Sequence, residues 1–179
     1  MKTKKIILSG LFAAIVAILA QISIPIPFSP VPVTGQFFAV FLTGALLGSK
    51  WGAISMAIYL LLGAVGIPVF HAAQGGLQIL VGPTGGYLFG FIGGVYLQGK
   101  LTENKAEVTY TRLVISMITC MVISYALGTL QLALIAGFNL PQALMAGVVP
   151  FLPLDLLKIF GAAAIALPVR RSLIQGSLL

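Results

Sequence analysis

Two residues of opposite charge, Asp155 and Lys158, stand in the run Pro150-Phe-Leu-Pro153-Leu-Asp155-Leu-Leu-Lys158-Ile-Phe-Gly161, where no other side chain is polar. A spacing of three residues puts both on one face of a helix. A carboxylate accepts hydrogen bonds and an ammonium donates them. Together they suit a small ligand with N–H donors at one place and a carbonyl or carboxylate at another. In a dry pocket such bonds are strong and selective. Each charge at the centre of a spanning helix costs about 2.5–3.5 kcal/mol, so the pair must serve something. One reading is a mutual ion pair that locks the fold. The other, usual for ionisable residues inside a membrane, is a ligand or ion path.

The remaining reactive side chains are few. The single histidine, His71, reads as an interfacial loop residue, with ligand contact or pH sensing as the alternatives. The single cysteine, Cys120, lies in an apolar run and reads as inert packing. One Cys and one His support neither a disulfide nor a zinc site. One Asp and two Glu, Glu103 and Glu107, exclude a two-carboxylate membrane protease by count. There is no G-x-x-x-x-G-K-[ST] phosphate loop and no Ser–His nucleophile motif. The halves show no clear repeat of the kind many secondary transporters carry. The chain has the means to hold a solute and no visible energy source or catalytic group. No cofactor is expected.

The elements that position the pair follow from composition. Of 179 residues, 59% are hydrophobic and 7% are charged, and mean hydropathy is +1.12. A disordered chain needs the opposite balance. A soluble chain this small could not cover its surface with so few charges. The expected fold is an all-α integral membrane protein, one transmembrane domain over residues 1–179. Apolar runs give six helices at about 6–22, 34–48, 52–70, 83–99, 111–137 and 141–169. Residues 34–70 cannot be one helix, which would reach roughly 55 Å; Gly48-Ser49-Lys50-Trp51-Gly52 is the natural turn. Counted from Pro150, Asp155 and Lys158 fall roughly 8 and 12 Å along the sixth helix.

Charge sets the orientation. With six helices, Lys2, Lys4, Lys5, Lys50, Lys100, Lys105, Arg112, Arg170 and Arg171 all fall on one side. The opposite loops, about 23–33, 71–82 and 138–140, hold no Lys or Arg. The positive-inside rule makes that basic side, with both termini, cytoplasmic. Trp51 beside Lys50 fits an interfacial anchor. The basic residues form no continuous face and accompany no nucleic-acid motif, so nucleic acid is not an expected partner. The first helix could also be read as a signal peptide, with small residues near Ala17 and Ala20.

The outer loops are unusual. Residues 25–32 read Pro-Ile-Pro-Phe-Ser-Pro-Val-Pro, a stiff extended stretch with few backbone donors. Residues 71–86 are Gly-rich and carry Gln74 and Gln78. Such loops serve either as binding walls and lids or as plain connections. Gly82, Gly86, Gly90 and Gly94 recur every four residues, a spacing that lets membrane helices approach closely. Ala13 and Ala17 form a similar pair on the first helix, facing either the bundle or another protein.

Several stretches resemble the BioY family of biotin-specific substrate-binding (S) components of energy-coupling factor transporters. They are Pro32-Val-Thr34-Gly-Gln36, Gly44-Ala-Leu-Leu-Gly48, Tyr59-Leu-Leu-Leu-Gly-Ala-Val-Gly-Ile-Pro-Val-Phe70, Gly75-Gly76, Gly82-Pro-Thr-Gly-Gly-Tyr87 with Gly90-Phe91, and Pro153-x-Asp155-x-x-Lys158. They occur in the family order over most of the chain, while residues 101–139 add little beyond hydrophobicity. The resemblance implies six helices in a bacterial cytoplasmic membrane, capture of biotin from outside, and as partners a transmembrane coupling protein with two ATPase subunits. It implies that Asp155 accepts from the ureido N–H groups. Lys158 would donate to the ureido carbonyl or neutralise the valerate carboxylate. Gln74, Thr84 and Tyr87 would add contacts from the outer loop and fourth helix, and Phe70 and Leu88 an apolar wall. It gives Ala13 and Ala17 the role of docking the coupling protein. The competing reading is a stand-alone secondary transporter of another small solute; an intramembrane enzyme lacks paired catalytic groups.

Overall fold

The structure, a computed structural model, describes residues 2–103 and 108–175. Lys105, one of the residues in the charge argument, lies outside the described residues. The element order is α1 (Lys2–Ala20), β1 (Ser23–Ile26), β2 (Ser29–Thr34), α2 (Gln36–Ala64), α3 (Leu77–Leu80), α4 (Gly85–Thr102), α5 (Tyr110–Ala136), α6 (Leu140–Gly147) and α7 (Leu152–Gln175). Helices satisfy their own backbone groups, which lipid cannot do for them. Four runs are long and apolar enough to cross a bilayer: Thr3–Ala20, Gln36–Ala64, Tyr110–Ala136 and Leu152–Leu173.

α2 is divided where the sequence places a turn. Gly48 adopts φ +74° and ψ −171°, far outside helical geometry, and leaves 36–47 and 49–64 as separate helical pieces. Glycine takes this conformation without the steric cost a Cβ would add. The second piece ends at Ala64 rather than near residue 70, and 65–76 form a turn containing one 3-10 turn, His71–Ala73.

Two segments differ from expectation. The proline-rich stretch is a hairpin, with β1 antiparallel to β2 and Ser23 opposite Thr34. The ladder is irregular between Ile24 and Ile26, where Pro25 has no N–H to give. The single helix expected over 141–169 is two helices. Asn139 caps α6 with Gln142 in a reciprocal capping box. Val148 then leaves helical geometry, and α7 starts at Leu152. Asp155 therefore sits in the first turn of α7, where the helix dipole favours a carboxylate, and not partway along a continuous span.

α4 packs between α5 and α2. A methyl group at Gly90 would stand 2.5 Å from Cα of Ser124, and one at Gly94 2.8 Å from the carbonyl oxygen of Cys120. The glycine stripe is thus the surface on which α4 lies against α5. Cys120 is fully buried there. On the other flank, Gln98 Nε2 donates to the Phe41 carbonyl at 2.7 Å.

Candidate functional site

One cavity collects residues from segments spread along most of the chain, a concave and largely apolar lining of the kind small-ligand sites use. β2 supplies Val31, Pro32 and Thr34, and α2 supplies Gln36 and Phe37. The turn before α3 supplies His71. Thr84 and α4 supply Tyr87, Leu88 and Phe91, and α5 supplies Tyr125. Gly147, Phe151, Asp155 and Lys158 come from α6, α7 and the turn between them.

Its polar base is a closed cluster. Lys158 Nζ donates to Asp155 Oδ1 at 2.7 Å and to the Thr34 carbonyl at 2.7 Å. The Tyr125 hydroxyl donates to Asp155 Oδ2 at 2.7 Å. The Asp155 side chain is 4% exposed and that of Lys158 19%. The break before α7 makes this possible. It brings the first turn of α7 against α5 and the end of β2, so carboxylate and ammonium meet groups from three elements. Asp155 retains free lone pairs, and Lys158 a third hydrogen, for a ligand.

The wall is aromatic. Phe37 meets Phe91 edge-on at 5.2 Å and Tyr125 edge-on at 5.7 Å. Tyr87 stands edge-on to Tyr125 at 6.4 Å, and its hydroxyl donates to the Gly147 carbonyl at 2.8 Å. Gly128 and Gly147 leave the space that this ring and hydroxyl fill; a methyl at either would overlap them. Gln36 Nε2 donates to the Tyr59 hydroxyl at 2.7 Å and its Oε1 accepts from the Thr34 hydroxyl at 2.9 Å. Such a lining can meet a largely apolar molecule with its aromatic wall and a polar edge with Asp155 and Lys158.

Of the residues singled out in the sequence, Asp155, Lys158, Thr84, Tyr87 and Leu88 line this cavity. Gln74 and Phe70 do not. Gln74 is exposed, and its backbone pairs with Phe70 across the turn. Phe70 is fully buried beneath that turn, edge-on to Tyr59 at 5.5 Å. Ala13, expected on an outward face, is 1% exposed and belongs to the core; Ala17 is half-buried against the same core. The sequence reading missed Thr34, Gln36, Tyr125, Phe37 and Phe91 as cavity residues, and set His71 aside as a plain loop residue. Thr34 and Gln36 carried a usable signal, as polar groups flanking a glycine at the start of an apolar helix. Tyr125 carried none.

Residues 1–175 match the sequence profile described as the BioY family. The chain belongs to the BioY family. A Thermotoga maritima protein named Biotin transporter BioY is 44% identical over 168 residues, covering 94% of this chain and 96% of that protein. A Biotin transporter BioY of Rhizobium etli is 38% identical over 171 residues, 91% of each. The fold is similar to the crystal structure of the S-component for biotin from an ECF-type ABC transporter, with TM-score 0.87 and 27% identity over 95% of this chain and 92% of that one. BioY membership and the apolar helices make this a multi-pass membrane protein.

Proposed function

We propose that this BioY-family chain is the membrane-embedded subunit that captures biotin for uptake. The observation that carries this is the Asp155–Lys158–Tyr125 cluster at the base of an aromatic-walled cavity. Biotin has a urea group with two N–H donors and one carbonyl acceptor, fused to a thioether ring and ending in a carboxylate chain. Asp155 accepts from the urea N–H groups, Lys158 donates to its carbonyl, and Phe37, Phe91 and Tyr125 cover the ring faces. Thr84, Tyr87 and Leu88 complete the wall.

Uptake rests on a separate energy module, a coupling protein with two ATPase subunits, since the chain has no phosphate-binding motif of its own. The coupling protein docks on the outward face of α1. That face carries the exposed small residues Gly10 and Ala14, with Ala17 at its edge; a methyl at Gly10 would touch nothing within 4 Å. Six membrane crossings, with α2 counted as two at Gly48 and both termini inside a bacterial cytoplasmic membrane, agree with the placement of the basic residues.

Mass spectrometry of the small molecule extracted from the purified chain tests the reading directly: biotin is expected. Asp155→Asn and Lys158→Ala should each abolish its retention. Gradient-driven uptake of a different solute by this chain alone in liposomes would instead favour a secondary transporter.

A further inference from the structure

The polar groups at the base of the cavity are engaged with one another. Asp155 takes Lys158 on one oxygen and Tyr125 on the other, and Lys158 also holds the Thr34 carbonyl. The cluster has no net charge. A ligand carboxylate placed against it would meet the negative charge of Asp155 as well as the positive charge of Lys158. Like charges within about 4–6 Å disfavour one another's ionised forms. A neutral urea, with donors for one group and an acceptor for the other, fits without that conflict. The ligand's carboxylate therefore lies elsewhere along the wall.

His71 is the other nitrogen base lining the cavity. Its ring is half-buried and makes no hydrogen bond among the described residues. Burial holds its pKa below the usual 6.5, so it stands neutral at pH 7 with one N–H to give. The other titratable groups on the same wall are Tyr87, Tyr125, Asp155 and Lys158.

The backbone beside His71 is strained. Ala72 and Ala73 have φ of +53° and +55°, a left-handed conformation that is unfavourable for residues with a Cβ. The turn is clasped on both sides. Gln21 Nε2 donates to the Phe70 carbonyl at 3.1 Å, and Gln21 Oε1 accepts from the Ala73 N–H at 2.8 Å. The Phe70 N–H donates to the Gln74 carbonyl at 2.9 Å. The Phe70 ring fills the space over Gly63, where a methyl would overlap it. Strain held in place like this clusters at ligand clamps, and the one functional side chain it presents to the cavity is His71.

We infer that His71 receives the ligand's carboxylate, away from the Asp155–Lys158 pair, and thereby distinguishes biotin from biotin derivatives that lack the free acid. This assignment rests on the biotin reading. The test is equilibrium binding of biotin and of biotinamide, its uncharged amide, to the purified full-length chain. The parent should prefer biotin. His71→Ala should weaken biotin binding about tenfold, and biotinamide binding, whose neutral carbonyl is the weaker acceptor and which also reports correct folding, by no more than about threefold. His71→Gln keeps a donor and should recover part of the loss. Equal losses for both ligands, or no loss for biotin, overturn the assignment and leave the biotin reading standing. A parent that binds neither ligand overturns both.

Discussion

Asp155 and Lys158 touch at 2.7 Å, and such a pair could lock the fold as well as hold a ligand. Mutation separates the two roles. Asp155→Asn leaves a largely buried ammonium without its counter-charge, and should cost about 3 kcal/mol of stability. Combining Asp155→Asn with Lys158→Met removes both charges and should restore stability to within about 1 kcal/mol of the parent, while biotin binding stays lost. Thermal unfolding and ligand retention measured on the same preparations check this; recovery of binding in the double variant would make the pair a lock only. Tyr125→Phe deletes the hydroxyl that donates to Asp155 Oδ2 and should weaken biotin binding about tenfold by titration. The asymmetry in legibility has a physical cause. Charges in an apolar run are costly, so Asp155 and Lys158 announce themselves. A tyrosine costs little in such a run whether it packs or lines a cavity, and Tyr125 looks like any core aromatic until α5 is placed against α7.

At the level of elements, the glycine stripe of α4 shows how much spacing alone conveys. The four-residue repeat marked a packing face, but the partner, α5, is visible only in three dimensions. Gly90 and Gly93 lie on the same helix in different surroundings. A methyl at Gly90 meets the Ser124 backbone at 2.5 Å, whereas one at Gly93 makes an ordinary 3.7 Å contact with Ile123 Cγ2. Gly90→Ala should therefore destabilise by about 1–3 kcal/mol through overpacking. Gly93→Ala should be neutral or mildly stabilising, since alanine is the better helix former. Melting curves of the two variants in detergent give the comparison, and equal midpoints would mean that α4 and α5 are not in close register. The split of the sixth run teaches the complementary lesson. Hydropathy over 141–169 is continuous because it records preference for lipid, which says nothing about backbone path. The Asn139–Gln142 box, Gly147 and Pro150 carried the break, and it is this break that places Asp155 at a helix start beside Tyr125.

On the scale of the whole molecule, the ligand cavity occupies one end of α7 and a second polar cluster the other. Arg170 donates to the Ala45 carbonyl at 2.6 Å and the Thr102 carbonyl at 3.0 Å, tying α7 to α2 just before its break and to the end of α4. Glu103, the cap of α4, accepts from the Ser49 hydroxyl at 2.7 Å and the Ser49 N–H at 3.1 Å, on the far side of Gly48, and pairs with Lys100 at 2.9 Å. Burial pushes the Glu103 carboxyl up, but the Ser49 and Lys100 hydrogen bonds outweigh it and hold the carboxyl below its ordinary 4.5. A carboxylate with a lowered folded-state pKa stabilises the fold fully above its unfolded pKa, and that contribution disappears as pH falls through the folded value. Glu103→Gln should thus melt lower than the parent at pH 7, by a small margin because the group is near the surface. The two melting curves should converge as pH drops from 4.5 toward lower values. A gap that persists unchanged at acid pH would mean that the carboxylate charge contributes nothing there. Biotin affinity at pH 7 should be the same in parent and variant, because Glu103 shares no contact with the cavity; a loss of affinity would show instead that the Gly48 junction and the ligand site are coupled through α2.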